Sequence, residues 1–145
     1  MIAVDTNILV YAHRGESPWN ATARSRVADL AESGQAWAIP WPCLHEFLAI
    51  VTHPGIFDPP TPLGAALDQV DAWMESPGLI LLSETNSCWP VLRETLRESA
   101  VRGLGVHDAR VVALCREHGV SVLWSADRDL SRFGGVKTVN PLVRK

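Results

Sequence analysis

No run of this chain approaches the ~20 consecutive apolar residues that a membrane-spanning helix needs, so no membrane span is expected. The first residues lack a basic segment, and Asp5 interrupts their apolar run, so a secretion signal is not expected either. Cysteine is scarce: Cys43, Cys88 and Cys115 are odd in number and form no CxxC pair. Reduced thiols in a cytoplasmic protein follow, each thiol a small core residue in an apolar helical pattern. The five histidines have no zinc spacing, and Ala49 stands where an HExxH motif beginning at His45-Glu46 would need its second histidine. Catalytic zinc is therefore not expected. Repeats, low-complexity tracts and linkers are also absent. A formal net charge of −3 does not by itself suggest a nucleic-acid binder. The excess of arginine over lysine carries no weight, because a GC-rich genome produces the same bias.

What is present is an ordinary globular composition, with 47% hydrophobic and 20% charged residues, over a length that suits one domain spanning 1–145. Short apolar runs alternate with helical patterns. Strands are expected at 2–4, 36–39, 79–82, 120–124 and 136–139. A brief helical turn should occupy 8–12. Ser17-Pro18 gives a cap and first-turn pair for a helix reaching 32. Pro40-Trp41-Pro42 opens a helix to 51, and a loop rich in proline and glycine follows at 53–60. Thr61-Pro62 repeats the cap signal for a helix to 75. Further helices are expected at 86–100, with Pro90 tolerated in the first turn, and at 107–118, closed by Gly119. Strands that are apolar throughout and alternate with helices predict an α/β fold, a parallel sheet of four to five strands covered on both faces.

Within this pattern four acids occupy apolar surroundings at the ends of strands or helices. Asp5 follows the first strand directly, and Asp5-Thr6-Asn7 places three polar side chains against it. Asp127 follows the fourth strand, with Asp129 just beyond, although alternating charges after a strand also suit a solvated loop. Glu46 is the most informative: its helical neighbours at three and four residues, Pro42, Cys43, Ala49 and Ile50, are all apolar. Asp108 heads the stripe Val111-Val112-Cys115. A first-turn Asp is stabilised by the helix dipole without any function, but beside Glu46 and Asp5 a ligand role is the stronger reading.

In open α/β sheets the ligand crevice lies beyond the carboxyl ends of the strands, and all four acids can reach that edge. Converging carboxylates repel one another and are costly to bury unpaired. A divalent cation supplies the missing charge, and an all-oxygen set suits Mg²⁺ or Mn²⁺. Ser125 offers a hydroxyl to orient water, while Thr6 and Asn7 can hold Asp5 and its turn by hydrogen bonds. Arg128 and Arg132 have the spacing to present two guanidiniums to a phosphate, or one of them pairs with Asp129. The six tryptophans read mostly as core, with Trp19 and Trp41 as weaker candidates for stacking on a base. Arg93, Glu94, Arg97, Glu98 and Arg102 read as a solvated helix face.

These residues resemble the PIN-domain ribonucleases, and most of all the VapC-type toxins of bacterial toxin–antitoxin pairs. The likeness is carried by Met1-Ile2-Ala3-Val4-Asp5-Thr6-Asn7, the helix around Glu46, Val106-His107-Asp108-Ala109-Arg110, and Trp124-Ser125-Ala126-Asp127-Arg128-Asp129-Leu130. It spans essentially the whole chain, in order, down to Val139-Asn140-Pro141-Leu142. Two departures are conservative: Leu130 where the family commonly has Phe, and Ser125 where Thr is common. The resemblance implies a three-layer α/β/α sandwich. It also implies an acidic set of Asp5, Glu46, Asp108 and Asp127, with Asp129 as a frequent addition. Expected activity is Mg²⁺- or Mn²⁺-dependent cleavage of single-stranded or loop RNA, often tRNA. A homodimer and inhibition by a VapB-like antitoxin complete the expectation, the antitoxin docking beside the helices at 41–51 and 62–75.

Other functions fit less well. An aspartyl-phosphate phosphatase would want a second acid where Asn7 stands, and a receiver domain would need a lysine after a later strand. A non-catalytic RNA- or partner-binding module on the same fold is the alternative, which cleavage assays separate from an enzyme.

Overall fold

The computed structural model describes residues 1–143. Five parallel strands form one sheet: β1 (Ile2–Val4), β2 (Trp37–Pro40), β3 (Leu79–Leu82), β4 (Val122–Trp124) and β5 (Lys137–Val139), in the order β3-β2-β1-β4-β5. Six helices connect them: α1 (Thr6–His13), α2 (Asn20–Glu32), α3 (Trp41–Val51), α4 (Leu63–Met74), α5 (Cys88–Ser99) and α6 (Gly105–Glu117). The chain steps outward from β1 to β3, then crosses back to β4 on the other side of β1. Crossovers running in opposite directions put their helices on opposite faces. Accordingly α1 packs on α2 and α3, α3 meets α4, and α5 and α6 pair separately. The result is the expected α/β/α sandwich. Reversal of strand order between β1 and β4 opens a crevice there, at the carboxyl edge of the sheet.

The core is built from these short strands and the inward stripes of the helices. Ala3, Val4, Trp37, Ala38, Ile39, Leu123, Phe47 and Leu114 are fully sequestered. Gly78 lets β3 start close to β2, since a Cβ there would sit 2.2 Å from the Gln35 carbonyl oxygen. Gly119, at φ +70°, follows α6 as expected for a residue that must turn left-handed.

Several expected boundaries move for identifiable reasons. The turn after Asp5 is a full helix, α1, because the Asp5 carboxylate caps it by accepting from the Thr6 N–H. Ser17-Pro18 does not open α2: Ser17 Oγ accepts from the Trp19 N–H in a turn. Asn20, the first residue of α2, donates its amide to the Tyr11 and Ala12 carbonyls at the end of α1. Thr61 does not cap α4 but is buried, its hydroxyl shared by His13 and Arg14. The helix expected from 107 starts at Gly105. Strand β3 is an edge strand rather than a fully buried one, with Ile80 43% exposed. Trp37, Trp73 and Trp124 lie in the core, but Trp19, Trp41 and Trp89 are exposed, so only half of the tryptophans match the core reading. All three cysteines are free and buried, as expected, and burial pushes the Cys115 thiol up to about 12.

Candidate active site

The register of the central strands builds the site. Val4 of β1 lies beside Trp124 of β4, and the Asp5 N–H continues the ladder onto the Trp124 carbonyl at 2.9 Å. The residues that follow the two strands, Asp5 and Ser125, are therefore neighbours. Their side chains form a closed network. Asp5 Oδ1 accepts from the Thr6 N–H at 2.9 Å and from the Cys43 thiol at 3.4 Å. Asp5 Oδ2 accepts from Ser125 Oγ at 2.8 Å and from Asn7 Nδ2 at 3.3 Å. Ser125 Oγ in turn accepts from Asn7 Nδ2 at 3.1 Å and from the Asp127 N–H at 3.0 Å. Asn7 Oδ1 takes the Ala126 N–H at 3.0 Å. Asn7 and Ser125 thus join two turns that lie about 120 residues apart, while Thr6 contributes its backbone N–H to Asp5 and its hydroxyl to the Cys43 carbonyl.

Ser125 is 2% exposed, so its removal leaves several groups short of a buried partner. Ser125→Ala is expected to cost about 1–3 kcal/mol, the usual penalty for orphaned buried polar groups. Urea unfolding measures it, and a wild-type midpoint would show that the three groups re-pair elsewhere.

A cleft of about 230 Å³ opens above this network, walled by α1, α3, α6 and the β4 turn. Asp5, Glu46, Asp108 and Asp127 all line it, together with Thr6 and Asn7. Asp129 does not: it is exposed, and its N–H caps the Asp127 carboxylate at 2.9 Å. Arg128 and Arg132 are not among its walls either. Neither arginine pairs with Asp129; the Arg132 guanidinium lies 5.4 Å from the Phe133 ring centroid instead. Sequence reasoning missed Tyr11 and His107 as cleft residues, and saw Cys43 only as core. Tyr11 had a signal, since it sits four residues after Asn7 on the same face of α1.

Three of the acids, Asp5, Glu46 and Asp108, hold their protons above the usual carboxylate range. Burial pushes the Asp5 carboxyl above its usual range, against the lowering effect of its Ser125, Thr6 and Cys43 donors, and Asp127 pushes it further. Glu46 is raised by partial burial, then by Asp5 and Asp108, with His107 opposing. Asp108 is raised by burial, then by Asp127 and Asp5, with Arg132 opposing. Among the described residues none of the four has an ion-pair partner, and Glu46 and Asp108 accept no hydrogen bond. Among the described residues no three His, Cys, Asp or Glu side chains are already drawn together closely enough to hold a metal ion. The donor set nevertheless fits a hard divalent ion: four carboxylates, those of Glu46 and Asp108 without hydrogen bonds among the described residues, repelling one another around one small cleft.

The sequence profile of the PIN domain matches residues 2–136. The chain belongs to the PIN domain family. Its relatives are of the VapC type. Ribonuclease VapC48 of Mycobacterium tuberculosis is 33% identical over 138 residues, 94% of each chain. Ribonuclease VapC43 of the same organism is 31% identical over 142 residues, 98% of this chain and 96% of the relative. Two solved PIN structures share the fold. VapBC2 from Rickettsia felis, bound to a DNA fragment from its promoter, aligns with a TM-score of 0.68 at 18% identity, covering 97% and 98% of the two chains. M. tuberculosis VapC20, a toxin cleaving the sarcin-ricin loop, aligns at 0.66 and 19% identity, covering 94% and 99%. The expected PIN architecture and the VapC-type kinship both hold over nearly the full length of the chain.

Proposed function

We propose that this PIN domain is a Mg²⁺- or Mn²⁺-dependent endoribonuclease, the cytoplasmic toxin of a toxin–antitoxin pair. The observation that carries the reading is the cleft itself: four acids from four separate elements, without a cation among them, at the point where the strand order reverses. The relatives' names supply the substrate class, RNA. Asp5, Asp108 and Asp127 would hold the ion, with Glu46 completing the set. When bound, a divalent ion acidifies a coordinated water and offsets charge growing on the phosphate.

The chain's own groups do the rest. Asp5 is fixed by four donors, so it forms the rigid wall of the cleft. Asp127 is oriented by the Asp129 N–H. Glu46, on α3, is held by no hydrogen bond or ion pair among the described residues, and its raised affinity for protons suits a group that takes one from the attacking water. Hydrolysis in this sense leaves a 5′-phosphate and a 3′-hydroxyl. No nucleophilic side chain is needed, and the buried Cys43 thiol is held in its protonated form by burial and by Asp5.

Restraint would come from a VapB-like antitoxin. The solved VapBC2 structure from Rickettsia felis pairs a VapC with a VapB. Leu63, Leu67 and Met74 are exposed along one face of α4, a surface suited to such a partner or to a second copy in a homodimer.

The test is incubation of the purified protein with total RNA, with and without Mg²⁺ or Mn²⁺, followed by end mapping. Discrete cuts that need the ion and end in 5′-phosphate are expected, as is growth arrest on expression alone, relieved by the adjacent gene product. Binding of RNA without any cutting would favour the non-catalytic module.

A further inference from the structure

The acidic cleft is not an isolated hollow. It meets a second one, about 320 Å³, at Asp127. That one meets a third, about 740 Å³, at Thr138 and Asn140. Together they make one trough, running from the acids past the carboxyl end of β5 to the outer face of α2. Its chemistry changes sign along the way. Past Asp127 none of its walls is acidic among the described residues, and two guanidiniums appear, Arg128 midway and Arg26 at the far end. Neither has a carboxylate within salt-bridge distance among the described residues. Arg26 lies over the Trp124 ring, 5.2 Å from its centroid, which restrains its planar head without neutralising it. Thr22, Thr138 and Asn140 add hydroxyls and a carboxamide. One turn before Thr22, at the same helical phase as Thr22 and Arg26, Trp19 is 43% exposed.

We propose that this trough is the track of a single-stranded RNA substrate leading into the cleft, an inference that rests on the ribonuclease reading of that cleft. Each element answers one part of such a strand. Guanidiniums pair with phosphates, hydroxyls and the carboxamide meet ribose 2′-hydroxyls, and an exposed indole stacks on a base. The continuity of the walls delivers the backbone to the acids, which hydrolysis there requires. An acidic peptide also complements two guanidiniums, but it has no partner for Trp19, and its own carboxylates would run into Asp127 and Asp5.

Binding is measured by fluorescence anisotropy, with a labelled short single-stranded RNA of randomised sequence, across a KCl series in Mg²⁺, on an Asp108→Asn background that prevents cutting. Arg26→Ala and Arg128→Ala are each expected to weaken binding and to make the slope of log affinity against log salt shallower by about 0.7, the value for one lost phosphate contact on a single strand. Arg26→Lys keeps the charge and should keep most of the slope. Trp19→Ala should weaken binding about tenfold without changing the slope, because stacking releases no counterions. Arg93→Ala, an exposed change on α5, should alter neither. Parental slopes in both arginine variants overturn the track, as does an equal loss in Arg93→Ala. So would a polyglutamate peptide whose binding depends on Arg26 and Arg128 while RNA binding does not. Because binding is read apart from cutting, altered slopes in a protein that never cuts RNA would leave the track standing and remove the ribonuclease reading.

Discussion

Asp108→Asn is expected to slow RNA cleavage on the order of a thousandfold, because metal-ion stabilisation of transition-state charge is worth several kcal/mol. The fold should survive. Asp108 accepts no hydrogen bond and joins no ion pair among the described residues, so the amide removes a charge and nothing else. Asp5→Asn should be as severe for cleavage but less clean. One oxygen of Asp5 accepts from both Ser125 and Asn7, and an amide nitrogen there would face two donors unless the Ser125 hydroxyl rotates. Rates from single-turnover cleavage, compared with far-ultraviolet circular dichroism of the same samples, separate chemistry from folding. Full activity in both variants would mean the acids are not the reactive centre.

The second large effect concerns stability and its dependence on pH. Asp5, Glu46 and Asp108 all hold protons more tightly in the fold than at their ordinary values of 3.8, 4.5 and 3.8. A folded-state pKa above the unfolded one gives stability that is complete below the unfolded value and is lost as pH rises through the folded value. These three groups therefore destabilise the metal-free protein increasingly as pH rises above about 4. Metal-free Glu46→Gln should melt higher than wild type at pH 7, and the difference should disappear in the acid range. Mn²⁺ should reverse the order at neutral pH: at a hundred times its dissociation constant a ligand of the folded state adds about 2.7 kcal/mol to wild type, and less to a variant missing a donor. Thermal melts at two pH values, with and without Mn²⁺, give all four comparisons. A wild-type protein indifferent to millimolar Mn²⁺ would count against a metal centre.

Much of this arrangement was legible in the sequence because burial and charge conflict locally. Ile2-Ala3-Val4 ending in Asp5, and Glu46 surrounded by apolar helix neighbours, pose that conflict within a few residues. What stayed hidden depends on partners distant in the chain. Nothing near Asp5 announces that Cys43 and Ser125 would hold it, and nothing near Asp129 announces that its backbone, rather than its carboxylate, serves the cleft. Ser17-Pro18 had the composition of a helix start, yet Asn20 found better partners in the carbonyls closing α1. Trp89 sits in a helical pattern like a core residue, and only the packing of α5 on α6 decides that it faces out. Strand order was equally invisible, and with it the reason the acids meet between β1 and β4.

The link between Asn7 and the Ser125–Ala126 segment has a consequence for timing during synthesis. Asp5 is synthesised well before Ser125, one of its four donors and 120 residues later in the chain, and before the whole Asp127 side of the cleft. Domains fold as units at translation speeds of roughly 5–20 residues per second, so a growing chain spends several seconds or more with Asp5 made and the facing half of the cleft missing. Chains that stop before Ser125 would lack a complete acidic cleft for the same reason. The complete acidic cleft is thus a late acquisition, reached only once Ser125, Ala126 and Asp127 have been made.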